Sequence, residues 1–192
     1  MNSRSSLLGL MVCLLVGCGN TGAQPQTYEV DGRPVLRTLA NDVIVPEHHA
    51  FAAASDSLVA ALQTLAATPD TASVSAAQAA WREARKAYRH LDALHFGPGY
   101  SLFISERIDV TPVDGAGIND LIAGSAPLDD AAVAKLGGKK KGFLGLEYLL
   151  FGALGSSSAD SPLLEADATV AGRRRALAVS MANEIAASAH LF

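Results

Sequence analysis

Apolar residues recur every three or four positions in two long stretches of the chain, which is the spacing of amphipathic helices. The first stripe consists of Leu36, Leu39, Val43, Phe51, Ala54, Leu58, Leu62 and Leu65. The second stripe consists of Ala77, Trp81, Ala84, Tyr88, Leu91 and His95. Pro46 interrupts the first stripe. Because proline lacks a backbone donor and clashes with the preceding turn, we expect a kink or a fresh start there.

The second half of the chain predicts one buried helix and one long terminal helix. The segment 143–152 is apolar on nearly every side, so a helix there should be buried. The pattern is again helical over about 169–191, where one stripe carries small residues. This stripe consists of Ala176, Val179, Ala182 (or Asn183), Ala186 and Ala189.

The middle of the chain is less regular. Short helices are expected within 100–108, 118–123 and 129–136, and the glycine- and lysine-rich segment 137–142 is expected to be a flexible, solvated loop. No strand-like alternation is visible, and neither is a repeat of roughly 20 to 50 residues. The predicted fold class is therefore all-α, a helical bundle with about four main helices.

The N-terminus has the pattern of an export signal. Its apolar run, 7–16, is too short to span a bilayer, because a spanning helix needs roughly 20 apolar residues. The run leads into Leu-Val-Gly-Cys, which resembles a bacterial lipobox with Cys18 as the lipidation site; an ordinary secretory signal is the alternative. Gly19 resembles the choice found in lipoproteins sorted to the outer membrane. The expected organisation is a signal peptide at 1–17, a flexible tether at 18–33 and a helical domain at 34–192.

Charge and cysteine content narrow the picture. A net charge of −4 provides no electrostatic case for nucleic acid. Of the two cysteines, Cys13 lies inside the leader and Cys18 carries the predicted lipid, so no pair remains for an internal disulfide. The exported domain must then be stabilised by packing alone.

Glu147 is the one charged residue in the apolar segment 143–152. Because a lone buried carboxylate is costly, we expect it to be paired, with Arg107, Arg85 or Lys141 as the candidate partners. Two interpretations stay open: a structural buried ion pair, and a ligand or weak metal site.

Several segments together resemble the imelysin family of bacterial envelope proteins. They are Val43-Ile44-Val45-Pro46, Trp81-Arg82-Glu83-Ala84-Arg85, Arg107-Ile108-Asp109, Pro112-Val113-Asp114, Ile118-Asn119 and the run from Lys141-Gly142-Phe143 to Gly152. They occur in the family's order over about residues 35–190. The resemblance implies a fold like one half of the family's two-bundle architecture.

The chain departs from the family in two respects. The family's signature is Gly-x-His-x-x-Glu; Gly142 and Glu147 match it, but Leu144 occupies the histidine position. Leucine can neither bind a metal nor move a proton. Imelysin-like proteins are also usually about twice as long, with the signature site between two halves. The small-residue stripe of the last helix is therefore expected to lack its neighbour and to form an exposed apolar patch.

The resemblance implies a function and argues against catalysis. The family was named for a metallopeptidase, but this chain has no His-Glu-x-x-His run and no histidine in the signature, so we expect no catalytic residues. The implied role is a non-catalytic envelope lipoprotein that binds iron or haem, or assists an outer-membrane iron transporter from the periplasmic side. Glu147 would be the ligand-binding residue, with Arg107 and Asp109 as neighbours. The alternatives are a structural or protein-interaction module that self-associates or binds a second half, and a truncated fragment.

Overall fold

The computed structural model describes residues 31–94, 102–152 and 157–191. The lipobox with Cys18, the signal peptide, most of the predicted tether and His95 lie outside these ranges. Val35–Phe192 forms one unit of the fold.

Described residues form eight α-helices. They are α1 (Arg33–Leu39), α2 (Val45–Ala67), α3 (Thr71–His90), α4 (Ile104–Ile108), α5 (Gly115–Ala123), α6 (Asp130–Ala134), α7 (Gly142–Phe151) and α8 (Ala168–Ala189). Three 3-10 turns (Leu91–Leu94, Gly138–Lys140 and Pro162–Leu164) and one π-helical turn (Ala40–Ile44) complete the elements. No strand occurs in the described ranges, and four of these helices reach ten residues. The predicted all-α bundle is confirmed.

The helix does not restart at Pro46. A π-helical turn, Ala40–Ile44, joins α1 to α2 and closes with a hydrogen bond from the Val45 N–H to the Ala40 carbonyl. Because Pro46 has no N–H to donate to the preceding turn, the wider turn beside it lets the helix continue. The expected interruption is therefore a local change of helix type.

One helix of the described chain, from Arg33 to Ala67, is long and apolar enough to cross a membrane by length and composition. Its α2 portion is a core helix, however. Phe51, Leu58, Leu62 and Leu65 are each at most 1% exposed and pack against α3 and α8.

The core centres on aromatic rings from three helices. Phe51 of α2, Tyr88 of α3 and Phe143 of α7 lie with ring centroids 5.4 to 6.3 Å apart. Trp81 packs edge-on against Phe143 at 6.4 Å. These contacts bring α2, α3 and α7 together around one apolar centre.

The expected exposed patch on the last helix is wrong. Ala182 and Ala189 are at most 2% exposed and Ala186 is 8% exposed, because α8 packs along α2. Ala176 alone of the small-residue stripe is clearly exposed. Small side chains allow α2 and α8, the first and last long helices, to approach closely. The stripe therefore lies at the buried contact between these two helices.

Candidate functional site

Helix α7, which carries the predicted signature, begins at a glycine with a left-handed backbone conformation. Gly142 has φ +69°, and a Cβ at this position would collide with the carbonyl group of Ile108 in α4. Only glycine combines this backbone conformation with so close an approach. The signature glycine thus sets α7 directly against the end of α4.

Two side chains of α3 fix the position of α7 by hydrogen bonds to its backbone. The Trp81 indole N–H donates to the Phe143 carbonyl at 3.1 Å, and the Gln78 amide donates to the Leu150 carbonyl at 3.0 Å. Both bonds are buried. They hold both ends of α7, so the direction in which its side chains point is defined by α3.

The basic loop before α7 is ordered, contrary to the expected flexible connector. Gly138–Lys140 forms a 3-10 turn, and the Asp114 N–H donates to the Lys139 carbonyl at 2.8 Å. Lys140 lies 3.5 Å from the Asp114 carboxylate, and Lys141 is only 4% exposed. The composition of the lysine run 139–141 predicts a solvated loop, but the last of the three lysines, Lys141, is buried.

Lys141 and Arg107 share a buried carboxylate on α8. Glu184 Oε1 accepts from Lys141 Nζ at 3.1 Å and from Arg107 Nη2 at 3.0 Å. Lys141 also donates to the Ala134 carbonyl at 3.1 Å. Burial of Glu184 raises the pKa of its carboxyl, but the hydrogen bonds from Lys141 and Arg107 outweigh this and hold the pKa below its ordinary value.

Asp109 belongs to a second ion-pair cluster. Its Oδ1 lies 2.6 Å from Arg85 Nη1, a pair made by charge and distance without directed hydrogen-bond geometry, and its Oδ2 lies 3.6 Å from Arg89 Nη1. The Arg85 guanidinium also lies 5.1 Å from the centre of the Phe143 ring. Asp109 therefore anchors the end of α4 to α3.

Glu147 is not the buried ion-pair member that its surroundings in the sequence suggest. It is half-buried, and it makes no ion pair or hydrogen bond with any other residue that the structure describes. The expected pairing with Arg107, Arg85 or Lys141 is wrong, because Arg107 and Lys141 contact Glu184 and Arg85 contacts Asp109. The structure does not assemble Arg107 and Asp109 around Glu147.

The side chains that share the outer side of α7 form what we call the signature face. It consists of Leu144, Glu147, Tyr148 and Phe151, all of intermediate exposure. The opposite side of α7 is fully buried through Phe143, Leu146, Leu149 and Leu150. The signature face therefore presents one carboxylate between apolar and aromatic side chains.

A polar network reaches this face through Tyr148. The Tyr148 hydroxyl accepts from the Asn119 amide at 2.8 Å, and Arg174 Nη1 donates to the Asn119 oxygen at 3.4 Å. Arg174 Nε donates to Glu165 Oε2 at 3.0 Å. Helices α5 and α8 are thus connected to the residue beside Glu147.

An arginine and the only tryptophan of the chain border the other end of the signature face. The Arg82 guanidinium carbon lies 4.9 Å above the Phe151 ring, and the Trp81 ring packs edge-on against Phe151 at 5.4 Å. A ligand on this face would therefore lie close to a single fluorescent reporter.

Metal-ligating groups are sparse in the described ranges. No three His, Cys, Asp or Glu side chains there lie close enough together to hold a metal ion. His90 Nδ1 lies 3.2 Å from Glu47 Oε2, and His190 Nε2 lies 2.9 Å from Asp56 Oδ1; both are exposed contacts between helices. Glu147 could supply one oxygen ligand to a metal, and further ligands would have to come from elsewhere.

Glu184 is the charged residue that sequence reasoning missed. Its signal was nevertheless present, because Leu177, Met181, Glu184 and Ser188 follow the four-three-four spacing of one helical stripe, and all four are buried. The stripe of small residues on the same helix is the more conspicuous pattern in the sequence, and it does not include this carboxylate.

Comparison with known proteins shows the same resemblance as the sequence motifs. Residues 44–190 match the family model described as Imelysin. "Iron-regulated protein A" of Synechococcus elongatus is 30% identical over 154 residues, which cover 78% of this chain and 40% of that protein. The chain thus spans 40% of the length of that relative. No solved structure matches at a significant level.

Proposed function

Because this chain belongs to the imelysin family, we propose that it is a non-catalytic envelope lipoprotein, anchored through Cys18, that takes part in iron or haem acquisition. The single observation that supports a binding role is the state of Glu147. It is a family-signature carboxylate, half-buried, with no partner among the described residues, while Lys141 and Arg107 pair with Glu184. A carboxylate left in this state is available to a ligand.

The proposed ligand class follows from the chemistry of the signature face. The Glu147 carboxylate would supply a hard oxygen ligand to an iron ion, or accept a hydrogen bond. The apolar side chains of Leu144 and Phe151 would contact a flat apolar ligand such as the haem ring. The relative from Synechococcus elongatus is named as an iron-regulated protein, which makes iron or haem the first ligands to test here. A site on the outer-membrane side of the periplasm would serve a neighbouring iron transporter.

A titration monitored by Trp81 fluorescence tests this proposal. Haem and ferric iron would be added separately to the purified mature lipoprotein in detergent, with Glu147→Gln as the test variant. We expect Glu147→Gln to weaken binding about tenfold, which corresponds to about 1.4 kcal/mol. The midpoint of thermal unfolding should stay unchanged, because no residue that the structure describes pairs with Glu147.

Glu83→Gln is the matched control. Glu83 is an exposed carboxylate on α3 whose side chain is 71% accessible, and its pairing with Lys86 at 3.9 Å contributes little. The Glu83→Gln variant should bind haem and ferric iron with the same affinity as the unmodified chain. Equal affinities of the Glu147 and Glu83 variants would remove Glu147 from the site.

A protein-interaction role is the second candidate, and Leu144 favours it. Leucine at the signature histidine position, half-buried on the same face as Phe151, suits an apolar contact with another protein better than it suits metal chemistry. The partner would be a second copy or a separate second half. Absence of haem and iron binding, together with a concentration-dependent sedimentation coefficient that Leu144→Ser abolishes, would favour this candidate.

A further inference from the structure

The helix that precedes the bundle exposes its large apolar side chains. No residue of α1 is buried, and its continuation through the π-helical turn is exposed as well at Val43. The exposed fractions are 68% for Val35, 65% for Leu36, 39% for Leu39 and 42% for Val43. At helical spacing these four positions fall within a sector of about 100°. We call them the amphipathic stripe.

Five polar residues lie outside the stripe: Arg33, Arg37, Thr38, Asn41 and Asp42. The remaining positions carry Pro34, Ala40, Ile44 and Val45, of which Val45 is 46% exposed. Arg37 lies on the side opposite the middle of the stripe, by the same helical spacing. The segment therefore has the two-sided pattern of a helix that lies at a boundary between an apolar and an aqueous phase.

The π-helical turn determines the direction of the stripe. The buried positions of α2, continued backwards from Phe51 in steps of four and three, would fall at 47, 44, 40 and 37. The stripe instead has its residues at 43, 39 and 36, one position earlier in each case. The wider π-helical turn Ala40–Ile44 accounts for this difference of one residue. The stripe thus points in the same direction as the buried side of α2, although no described residue covers it.

A second copy of the chain is a poor occupant for this surface. Thirteen residues of helix, from Arg33 to Val45, extend about 20 Å, and a stripe about 10 Å wide would bury only about 400 Å² in total between two copies. Stable protein interfaces bury about 1,200–2,000 Å².

A bilayer needs no such area, because the proposed lipid on Cys18 already holds the chain at its surface. Fourteen residues separate Cys18 from Arg33, and the fifteen Cα–Cα steps between the two reach at most about 50 Å. The helix is therefore confined to the neighbourhood of the membrane, where weak apolar contacts act at a high effective concentration.

We propose that Val35, Leu36, Leu39 and Val43 insert into the surface of the bilayer to which the lipid on Cys18 is anchored. The helix then enters the membrane interface with its axis inclined, because α3 and α8 pack on the same side of α2 and must stay outside the lipid, and Arg37 is turned toward water. This inference rests on the proposed lipid anchor. Its consequence is a second membrane contact, which sets the orientation of the bundle that a tether alone would leave free.

Single labelled cysteines in the mature lipoprotein test the insertion. After removal of the leader, Cys18 is the one cysteine and its sulfur carries the proposed lipid, so an introduced cysteine is labelled alone. Leu36→Cys reports on the stripe. Arg37→Cys is the matched neighbour on the polar side, and Ser57→Cys marks an exposed position on α2. Each variant carries an environment-sensitive fluorophore and is reconstituted into phosphatidylethanolamine–phosphatidylglycerol vesicles with or without bromine on the acyl chains.

We expect bromine to reduce the emission at position 36 by about half and to leave positions 37 and 57 unchanged, because the apolar side alone enters the lipid. Equal emission at positions 36 and 37, or self-quenching at 36 that grows with protein density, would overturn the inference. The intact mass of the same sample reports separately on the lipid. A lipidated chain with position 36 in water contradicts the insertion alone, whereas a chain without lipid contradicts the anchor and the insertion together.

Discussion

Two glutamates of this chain have opposite surroundings. Glu184 is 8% exposed and receives hydrogen bonds from two cations, one of which, Lys141, is itself buried. Glu147 is half-buried and free of partners among the described residues. Removing one member of a buried pair is costly because the other charge is left uncompensated. The cost of losing the charge should therefore differ sharply between the two residues.

Glu184→Gln is expected to lower the free energy of unfolding by about 3 kcal/mol, because the Lys141 ammonium stays buried without a counter-charge. Glu147→Gln should change it by less than about 0.5 kcal/mol. Urea denaturation of both variants measures the difference. Similar values for the two would contradict the role assigned to the buried pair.

The stabilising effect of Glu184 should also depend on pH. Its pKa is lower in the folded chain than its ordinary value of 4.5, so its contribution is complete above that value and is lost as the pH falls through the folded pKa. We expect the difference in unfolding free energy between the unmodified chain and Glu184→Gln to be largest near neutral pH and to shrink in acid. A difference that grows on acidification would reverse the sign of the assigned shift.

At the scale of single elements, backbone conformation decides what composition leaves ambiguous. Gly142 and Gly172 are both helical glycines, but a Cβ at Gly142 meets the Ile108 backbone, whereas a Cβ at Gly172 meets nothing within 4 Å. Gly142 also has a positive φ. The first glycine is required by the start of α7, and the second is a weak point in α8.

Alanine should therefore have opposite effects at the two positions. Gly142→Ala is expected to destabilise the fold by about 2 kcal/mol or more, through strain at positive φ and the collision with α4. Gly172→Ala should stabilise it by about 0.5–1 kcal/mol, because alanine loses less backbone entropy in a helix. Thermal and urea unfolding give both values. A Gly142→Ala variant as stable as the unmodified chain would show that the start of α7 is not sterically restricted.

At the scale of the whole molecule, α8 packs against α2 and closes the bundle. The small side chains of α8 are buried at this contact, and the charged Glu184 lies in the same helix facing α4 and the loop before α7. The chain thus forms a packed core over the described part of its sequence, although it spans 40% of the length of its relative.

A larger residue inside this contact should be poorly tolerated. Ala182→Leu is expected to cost about 1–3 kcal/mol, because Ala182 is fully buried and close-packed cores resist added volume. Ala176→Leu, on the exposed side of the same helix, should stay within about 0.5 kcal/mol. If both variants unfolded at the same denaturant concentration, the closure of α8 on α2 would be in doubt.

Sequence periodicity was sufficient to predict the helices, but it was insufficient to predict which surfaces of the helices pack against each other. The spacing of Phe51, Leu58, Leu62 and Leu65 identified the core side of α2, because three- and four-residue steps have one geometric solution. Segment 143–152 has apolar residues on every side, so its spacing could not indicate which side faces water. Glu147 was for that reason assigned to the interior.

By itself, then, the sequence determined the all-α class, the long helices, the family motifs and the lipobox prediction, since these depend on residues close together along the chain. The tertiary structure alone decided which charges meet. Arg107, Lys141 and Glu184 come from three separate segments, and their pairing depends on how α4, α7 and α8 pack. That packing pairs Lys141 and Arg107 with Glu184 and leaves Glu147 on the half-buried side of α7, because a helix packed on one side turns its other side away from the core.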